Sequence, residues 1–368
     1  MIIATAGGLV SPMHIVIGTV GLALVAIILA DAFQTVIVAR HGQKIPAITR
    51  MFYRLSWSLF TTVAARIASR RRRERYLGIY GPLSLLMLLG FWALGFIIAF
   101  AILQWSVGLE LNGTYSSFAN DLYFSAGSFF TLGSGEPQNI PSKYLMVLEA
   151  GFGFSFLGLV IGYLPVLYQS FSSRELRILL LDARAGSPPS AIQFLLRRGN
   201  NREDLERRLA DWEEWALDLL HSHLSYPMLA YYRSQHANQS WLAALTTILD
   251  VSALLMLASD NTLKHQAEFS FAAGRHALAH TASIFRIWPL HSHKDRLPKQ
   301  ELSRLCAMLS AGTTPLDLEG ISEAELQKLR VMYEPHAQAL ATYFLMDLPP
   351  WIPSGLTSDN WQIASWEI

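Results

Sequence analysis

Two glycines separated by a single residue lie in an apolar part of the chain, in the segment FTLGSGE at residues 130–136. Glycine adopts backbone conformations that are costly for other residues, so this segment can leave regular helix geometry. Irregular backbone at membrane depth has unpaired N–H and C=O groups, which are tolerated only inside protein or along a water-filled path. Rings of backbone carbonyls from several chains can replace the hydration shell of a cation. The segment therefore predicts a cation path lined by carbonyl oxygens.

The predicted filter consists of Thr131, Leu132, Gly133, Ser134 and Gly135. Thr131 offers a hydroxyl and a carbonyl oxygen, and the residues after it offer carbonyl oxygens. Glu136 would add a ring of negative charge at the mouth of the path. The alternative is a surface turn, because closely spaced glycines are common in turns. The sequence contains no phosphate loop, dinucleotide fingerprint, nucleophile elbow or paired-carboxylate pattern, so we expect no catalytic residue, cofactor or metal.

Three long apolar runs surround this segment, at residues 12–38, 80–109 and 144–171. Each is long enough to cross a hydrocarbon core of about 30 Å as a helix. Residues 51–69 are also apolar but contain Arg54 and Arg66. These charges favour an amphipathic helix at the cytoplasmic membrane interface, with a fourth span as the alternative.

A short helix is predicted at residues 116–130, directly before the glycine segment. Ser117 or Asn120 can serve as its N-cap, and Asp121 lies in its first turn. The stretch is too short for another crossing, so it would dip into the membrane and end there. Its C-terminal end would direct about half an elementary negative charge at the path, which favours a cation.

The third apolar run holds the residues that could bend or close the path. A proline inside a helix removes one hydrogen bond and bends the helix, and small residues let neighbouring helices approach. Bulky apolar side chains near the cytoplasmic mouth could close the path by excluding water. The predicted gate or hinge residues are Gly158, Gly162, Leu164, Pro165 and Leu167.

Charge predicts the orientation of the apolar runs. The formal net charge of +1 is too small to indicate a nucleic-acid partner. The loop between the first two runs is strongly basic and includes consecutive arginines at residues 70–73, which the positive-inside rule places in the cytoplasm. Alternation then puts the N-terminus outside and residues 172–368 inside. The expected location is the cell (inner) membrane, crossed several times.

Residues 172–368 have the pattern of a helical cytoplasmic domain. A buried helix face is indicated by the spacing of three and four between Leu205, Leu209, Trp212, Trp215, Ala216 and Leu219. The Gly-Ser-Pro-Pro sequence at residues 186–189 is the best linker signal. Residues 241–258 are apolar enough to suggest a span, but Asp250 at their centre and their short length favour a core helix.

The histidines and the single cysteine give little indication of a metal site or of a disulfide. His276 and His280 lie four residues apart on one predicted helix, a spacing that can bind a metal but also suits ordinary surface or core histidines. Cys306 is the single cysteine, so no disulfide framework can form within the chain. We interpret Cys306 as a core residue.

The order of these elements resembles the pore module of the potassium-channel superfamily over residues 81–171. The segment FTLGSGE lines up with the family's Thr-Thr-Val-Gly-Tyr-Gly-Asp, between a pore helix and an inner helix. Stretches such as DAFQTVIVAR, YGPLSLLMLL and LLDARAGSPPS are similar to bacterial three-span members with a helical cytoplasmic domain. The resemblance implies a passive ion channel in which four subunits each supply one pore loop.

The filter departs from the family pattern at two positions. Ser134 stands where the family has Tyr or Phe, and Leu132 stands where it has Val. The family's aromatic ring supports the filter at its diameter, so we expect conduction of potassium or of monovalent cations with weak selectivity. The alternative is a non-conducting membrane receptor or scaffold whose cytoplasmic domain carries the function.

The expected architecture is an all-α membrane protein: a tetrameric potassium-channel-like pore with an extra N-terminal transmembrane helix and an all-helical cytoplasmic domain. The expected domains are an N-terminal transmembrane helix at 1–39, a basic cytoplasmic loop with an interfacial helix at 40–80, the pore module at 81–171 and the cytoplasmic domain at 172–368. The expected partners are monovalent cations, the lipid bilayer and three further copies of the chain. A cytoplasmic ligand of unknown type is a further candidate, and no nucleic acid is expected.

Overall fold

The computed structural model describes residues 12–36, 45–111, 113–133, 135–198, 201–236, 238–291, 295–311 and 321–353. Its α-helices are α1 Pro12–Val36, α2 Ala47–Ala64, α3 Arg70–Ser106, α4 Phe118–Phe129, α5 Ile140–Ala185, α6 Ala191–Arg198, α7 Arg202–Ser225, α8 Trp241–Leu255, α9 Asn261–Ile284, α10 Lys299–Ala311, α11 Glu323–Val331 and α12 Glu334–Phe344. A 3-10 turn, Pro227–Tyr231, follows α7. The strands β1 Glu110–Leu111 and β2 Thr114–Tyr115 form one short antiparallel pair. The predicted all-α class is confirmed.

Three of these helices, α1, α3 and α5, are long and apolar enough to cross a membrane. They contain the three apolar runs of the sequence, and they fit a membrane protein, as predicted. The helix α2 is separate from them and covers most of the predicted interfacial helix. Its position at the membrane interface stays a prediction.

Two of these three helices extend beyond the apolar runs. The helix α3 begins at Arg70, so residues 70–80 are helical rather than part of a loop. Arginine and leucine have high helix propensity, which explains why the basic run continues the helix. The helix α5 continues to Ala185 and ends at Gly186, whose φ of 85° is the left-handed conformation that commonly terminates helices.

The chain divides into two compact units. The first unit contains α1, α2 up to Thr61, α3 from Pro82, the strand pair, α4 and α5 up to Tyr168. The second unit contains Thr62–Gly81, which holds the end of α2 and the start of α3, and the described residues from Gln169 onward. The division within α5 falls between Tyr168 and Gln169.

Glycines let α1 and α3 pack closely in the first unit. A Cβ atom added at Gly21 would lie 2.9 Å from Cγ of Leu103 and 3.1 Å from the carbonyl oxygen of Ala99. A Cβ atom added at Gly95 would lie 2.8 Å from Cδ1 of Ile28. Small residues at such contacts are typical of packed helices in membranes.

Asp31 of α1 caps the N-terminus of α2. Its carboxyl group accepts hydrogen bonds from the backbone N–H of Thr49 at 3.3 Å, from the Thr49 hydroxyl at 2.6 Å and from Nε1 of Trp92 at 3.1 Å. Thr49 is the third residue of α2, the position whose N–H usually bonds to a capping side chain. A buried acid in α1 thereby fixes both α2 and α3.

The second unit is built around α8, which is buried along its whole length. Asp250 at its centre accepts two hydrogen bonds from Arg296, at 3.1 and 2.6 Å, and one from the hydroxyl of Tyr333 at 2.5 Å. Burial opposes the charge on Arg296, but its contact with Asp250 raises the pKa of Arg296 above the ordinary value. This pairing explains how an apolar helix with a central acid is a core helix, as predicted.

The linker predicted at residues 186–189 is wrong. Gly186, Ser187 and Pro189 are buried, and the Ser187 hydroxyl donates a hydrogen bond to Asp182. Glycine and proline favour turns, but the same residues also form packed turns inside a domain. The segment is a buried corner between α5 and α6.

The predicted apolar face of α7 is confirmed, because all six residues of its pattern are buried. Trp212, Trp215 and Trp241 are core residues, as predicted. Cys306 on α10 is only half-buried, so it is not the core residue that we expected. Burial raises the pKa of its thiol.

Candidate functional site

The helix before the glycine segment has the predicted start. The Ser117 hydroxyl accepts a hydrogen bond from the backbone N–H of Asn120 at 3.4 Å and caps α4. Asp121 lies in the first turn, as predicted. With 12 residues, α4 is about 18 Å long, which is too short to cross a membrane.

The end of α4 turns the chain sharply. The N–H of Leu132 donates to the carbonyl of Gly127 at 2.8 Å, and the N–H of Thr131 donates to the carbonyl of Ser128 at 3.1 Å. This pair of bonds is a Schellman motif, which normally has glycine in its left-handed position. Here that position is Thr131, with φ of 57°. A β-branched residue in this conformation is an outlier, and such outliers occur preferentially at functional sites.

Left-handed backbone recurs at every second residue of the segment. The φ angles are 57° at Thr131, 76° at Gly133 and 120° at Gly135. Backbone that departs from helix geometry in this way can turn successive carbonyl oxygens toward a path for an ion. Ser134, the predicted filter residue between the two glycines, lies outside the described residues.

The segment is exposed in the protomer. Leu132 is 78% exposed, and a Cβ atom added at Gly133 would have no atom within 4 Å. Glu136 is exposed and forms an ion pair with Lys143 at 3.2 Å. Lys143, which was not among the predicted site residues, therefore partly neutralises the negative charge predicted at Glu136.

Buried contacts hold α4 against α3 and α5. The hydroxyl of Ser125 lies 2.7 Å from the carbonyl oxygen of Ile97 on α3 and also forms a hydrogen bond with Glu149 on α5. The rings of Phe96 and Phe129 stack with their centroids 6.3 Å apart. Glu149 is not among the predicted site residues. An acid inside an apolar run is the signal that could have identified it.

The predicted gate residues do not share one environment. Gly158, Gly162 and Pro165 are exposed in the protomer, and added Cβ atoms at the two glycines would have no atom within 4 Å. Leu164 is half-buried. Leu167 is only 3% exposed, so its side chain packs inside the protomer.

In the second unit, residues 227–233 contact the extension of α5. The guanidinium group of Arg174 donates to the carbonyl oxygens of Leu229 at 2.7 Å and Tyr232 at 2.9 Å. It also pairs with Glu175 at 3.0 Å and lies over the ring of Phe171. The end of α5 is thereby held to this segment.

The same segment, residues 227–233, contacts the start of α3. The rings of Tyr231 and Tyr80 pack at 5.3 Å, and Arg233 pairs with Glu74 at 3.6 Å. A Cβ atom added at Gly81 would lie 2.7 Å from Cδ2 of Tyr232. One segment therefore joins the extensions of two spanning helices. Sequence periodicity did not reveal it, because these contacts are between distant parts of the chain.

The rings of His276 and His280 lie 4.2 Å apart on the exposed face of α9. Burial and the neighbouring His276 lower the pKa of His280. The residues that the structure describes contain no group of three or more metal-ligating side chains. This pair is thus a contact between two exposed histidines.

No protein-family model, curated protein or solved structure matches the chain. Fold-level likeness would in any case carry less weight than the chemistry of the site.

Proposed function

We propose that the chain is one subunit of a homotetrameric, potassium-channel-like channel that conducts monovalent cations passively. The observation that carries this proposal is the left-handed backbone at Thr131, Gly133 and Gly135 on an exposed turn after α4. Carbonyl oxygens of such a segment are suited to replace the hydration shell of a cation. The proposed filter is Thr131-Leu132-Gly133-Ser134-Gly135, with Glu136 at its mouth.

Four subunits are proposed because one chain supplies one loop. A ring of carbonyls around an axis needs several copies, and closed rotational symmetry is the usual solution. The helix α5 supports this view, since only 11% of its most apolar part is buried inside the protomer, against 50% for α3. In the proposed tetramer, α5 lines the path and packs against neighbouring subunits.

The ion would be a cation rather than an anion. Carbonyl oxygens carry partial negative charge, and the C-terminal end of α4 adds the negative end of a helix dipole. Lys143 reduces the charge of Glu136, so selectivity for cations depends mainly on the backbone. With Ser134 in place of an aromatic residue, we expect potassium or weakly selective conduction.

The proposed gate lies on the exposed face of α5. Gly158, Gly162 and Pro165 are on that face, and Leu164 is at its edge. We leave out Leu167 because a side chain packed inside the protomer does not line a water-filled path. Within the second unit, residues 227–233 hold the extensions of α3 and α5 together. The basic residues 70–73 favour a cytoplasmic position for this unit, with the N-terminus outside the cell (inner) membrane.

A non-conducting receptor or scaffold is the second candidate function. The observation that favours it is Ser134, which lacks the ring that supports the filter in the resembling family. In this case the second unit would carry the function and the filter would be closed.

The two functions are separated by ion flux. The purified protein is reconstituted into liposomes, and potassium, sodium, caesium and chloride gradients are applied one at a time. We expect flux of the monovalent cations and none of chloride. Absence of flux under every gradient would favour the scaffold, and flux of chloride alone would contradict the proposed cation path.

A further inference from the structure

The hydroxyl of Ser125 lies between two oxygen atoms in the interior of the first unit. It is 2.7 Å from the carbonyl oxygen of Ile97 and within hydrogen-bond contact of Oε1 of Glu149. Ser125 and Glu149 are both completely buried. The second carboxyl oxygen of Glu149, Oε2, has no hydrogen-bond partner among the residues that the structure describes.

The number of hydrogens available for these two contacts decides whether Glu149 is protonated. A serine hydroxyl has one hydrogen to donate, and a carbonyl oxygen has none. If Ser125 donates to Ile97, then its contact with Glu149 is a hydrogen bond only when Glu149 supplies the hydrogen. An ionised carboxylate here would be buried with at most one hydrogen-bond donor, which is costly.

We propose that Glu149 is a neutral carboxylic acid that donates its proton to Ser125, while Ser125 donates to the carbonyl of Ile97. A single proton then completes a chain of hydrogen bonds that joins α3, α4 and α5. Glu149 is thereby a positioning residue for the filter. This positioning role rests on the proposed channel function, whereas the protonation of Glu149 does not.

The chain of hydrogen bonds lies one helical turn from the filter. Ser125 contacts Glu149, and four residues later on each helix Phe129 contacts Gly153. Two contacts in the same order show that α4 and α5 run in the same direction at this point. Phe129 is the last residue of α4, so the position of Ser125 determines where the filter begins.

Infrared difference spectroscopy of the full-length protein in lipid tests the protonation directly. Subtraction of the Glu149→Gln spectrum from the wild-type spectrum is expected to leave the carbonyl band of a protonated carboxylic acid at neutral pH. Carboxylate bands in this difference spectrum, in place of the carboxylic acid band, would overturn the proposal. This readout needs no ion flux, so it stands even if the chain does not conduct.

Ser125→Ala provides a second route if Glu149→Gln does not fold. We expect the carboxylic acid band to shift in Ser125→Ala, because Glu149 loses its acceptor. Ser128→Ala is the matched control: Ser128 is a buried serine of the same helix that donates to the carbonyl of Phe124 at 2.9 Å. An unshifted band in Ser125→Ala, or an equal shift in both variants, would contradict the contact.

Ion flux tests the positioning role. Glu149→Gln keeps an N–H group that can donate to Ser125, whereas Glu149→Ala has no donor. We expect flux in Glu149→Ala to be about tenfold lower than in Glu149→Gln, as the loss of one buried hydrogen bond predicts. Equal flux in the two variants would overturn the positioning role. If the wild type gives no flux, the channel proposal fails and the infrared result is unaffected.

Discussion

Gly153 of α5 lies directly against the last carbonyl oxygen of α4, which belongs to Phe129. A Cβ atom added at Gly153 would overlap that oxygen. No side chain fits at residue 153 unless one of the two helices moves. The end of α4, where the proposed filter begins, is therefore positioned by the absence of a side chain on α5.

Gly153→Ala is expected to destabilise the protein and to reduce cation flux. The new methyl group has to displace α4 or α5, and such overpacking typically costs about 1–3 kcal/mol. Thermal unfolding in detergent and liposome flux measure the two effects. Gly151→Ala is the matched control, because Gly151 lies on the same helix with no atom within 4 Å of an added Cβ atom. Equal melting temperatures for the two variants would contradict the close contact.

Thr131→Gly is expected to raise the melting temperature relative to Thr131→Ala. Both variants lack the hydroxyl, but only alanine has a Cβ atom, which costs about 1 kcal/mol in a left-handed conformation. Leu132 is the control, because its φ is not positive. There the order should reverse, with Leu132→Gly less stable than Leu132→Ala. The same order at both positions would argue against left-handed backbone at Thr131.

Asp31→Ala is expected to lower stability more than Asp31→Asn. The alanine variant leaves two donors of Thr49 and the indole N–H of Trp92 without their acceptor, and each buried unsatisfied donor costs about 1–3 kcal/mol. Asparagine keeps one acceptor oxygen. The melting temperatures of the two variants and of Trp92→Phe, which removes one donor, provide the test. Similar values for wild type and Asp31→Ala would exclude the capping role.

Acid is expected to destabilise the second unit through His223. Burial, and then the positive charge of Arg174, hold the pKa of His223 well below its usual range. In the unfolded chain a histidine has a pKa of about 6.5. The unfolded state therefore binds the proton first as pH falls, and the free energy of unfolding decreases below about pH 6.5 by up to ~1.4 kcal/mol per pH unit. Above this pH the effect is absent.

Melting temperatures between neutral and mildly acid pH measure this effect. His223→Leu should weaken the dependence on pH, because leucine binds no proton. His221→Leu, which changes an exposed histidine on the same helix to the same residue, controls for the substitution itself. His280 and His336, whose pKa values burial also lowers, contribute to the slope that remains in His223→Leu. An unchanged slope in His223→Leu would contradict the assignment.

Local signals in the sequence predicted much of the fold. The three spanning helices follow from the length of their apolar runs, and the start of α4 follows from Ser117 at its cap. The apolar face of α7 follows from helical spacing alone. Each of these features depends on residues that are close together in the sequence.

Contacts between distant residues could not be predicted in this way. The cap of α2 by Asp31 joins residues 18 apart, and the contact of Arg174 with Tyr232 joins residues 58 apart. The burial of Leu167 depends on its neighbours in the packed protomer, which helical spacing does not specify. The filter segment was identified from its glycines, but its pairing of Glu136 with Lys143 was not.

A pair of glycine variants tests the central claim most directly. Gly133 and Gly113 have almost the same φ, 76° and 77°, and a Cβ atom added at either would have no atom within 4 Å. Alanine therefore introduces about the same strain, roughly 1 kcal/mol, at both positions, but only Gly133 lies in the proposed filter. In liposome flux measurements with a potassium gradient, Gly113→Ala should conduct like the wild type and Gly133→Ala should lose conduction. Equal conduction by the two variants would contradict a cation path along these carbonyl oxygens.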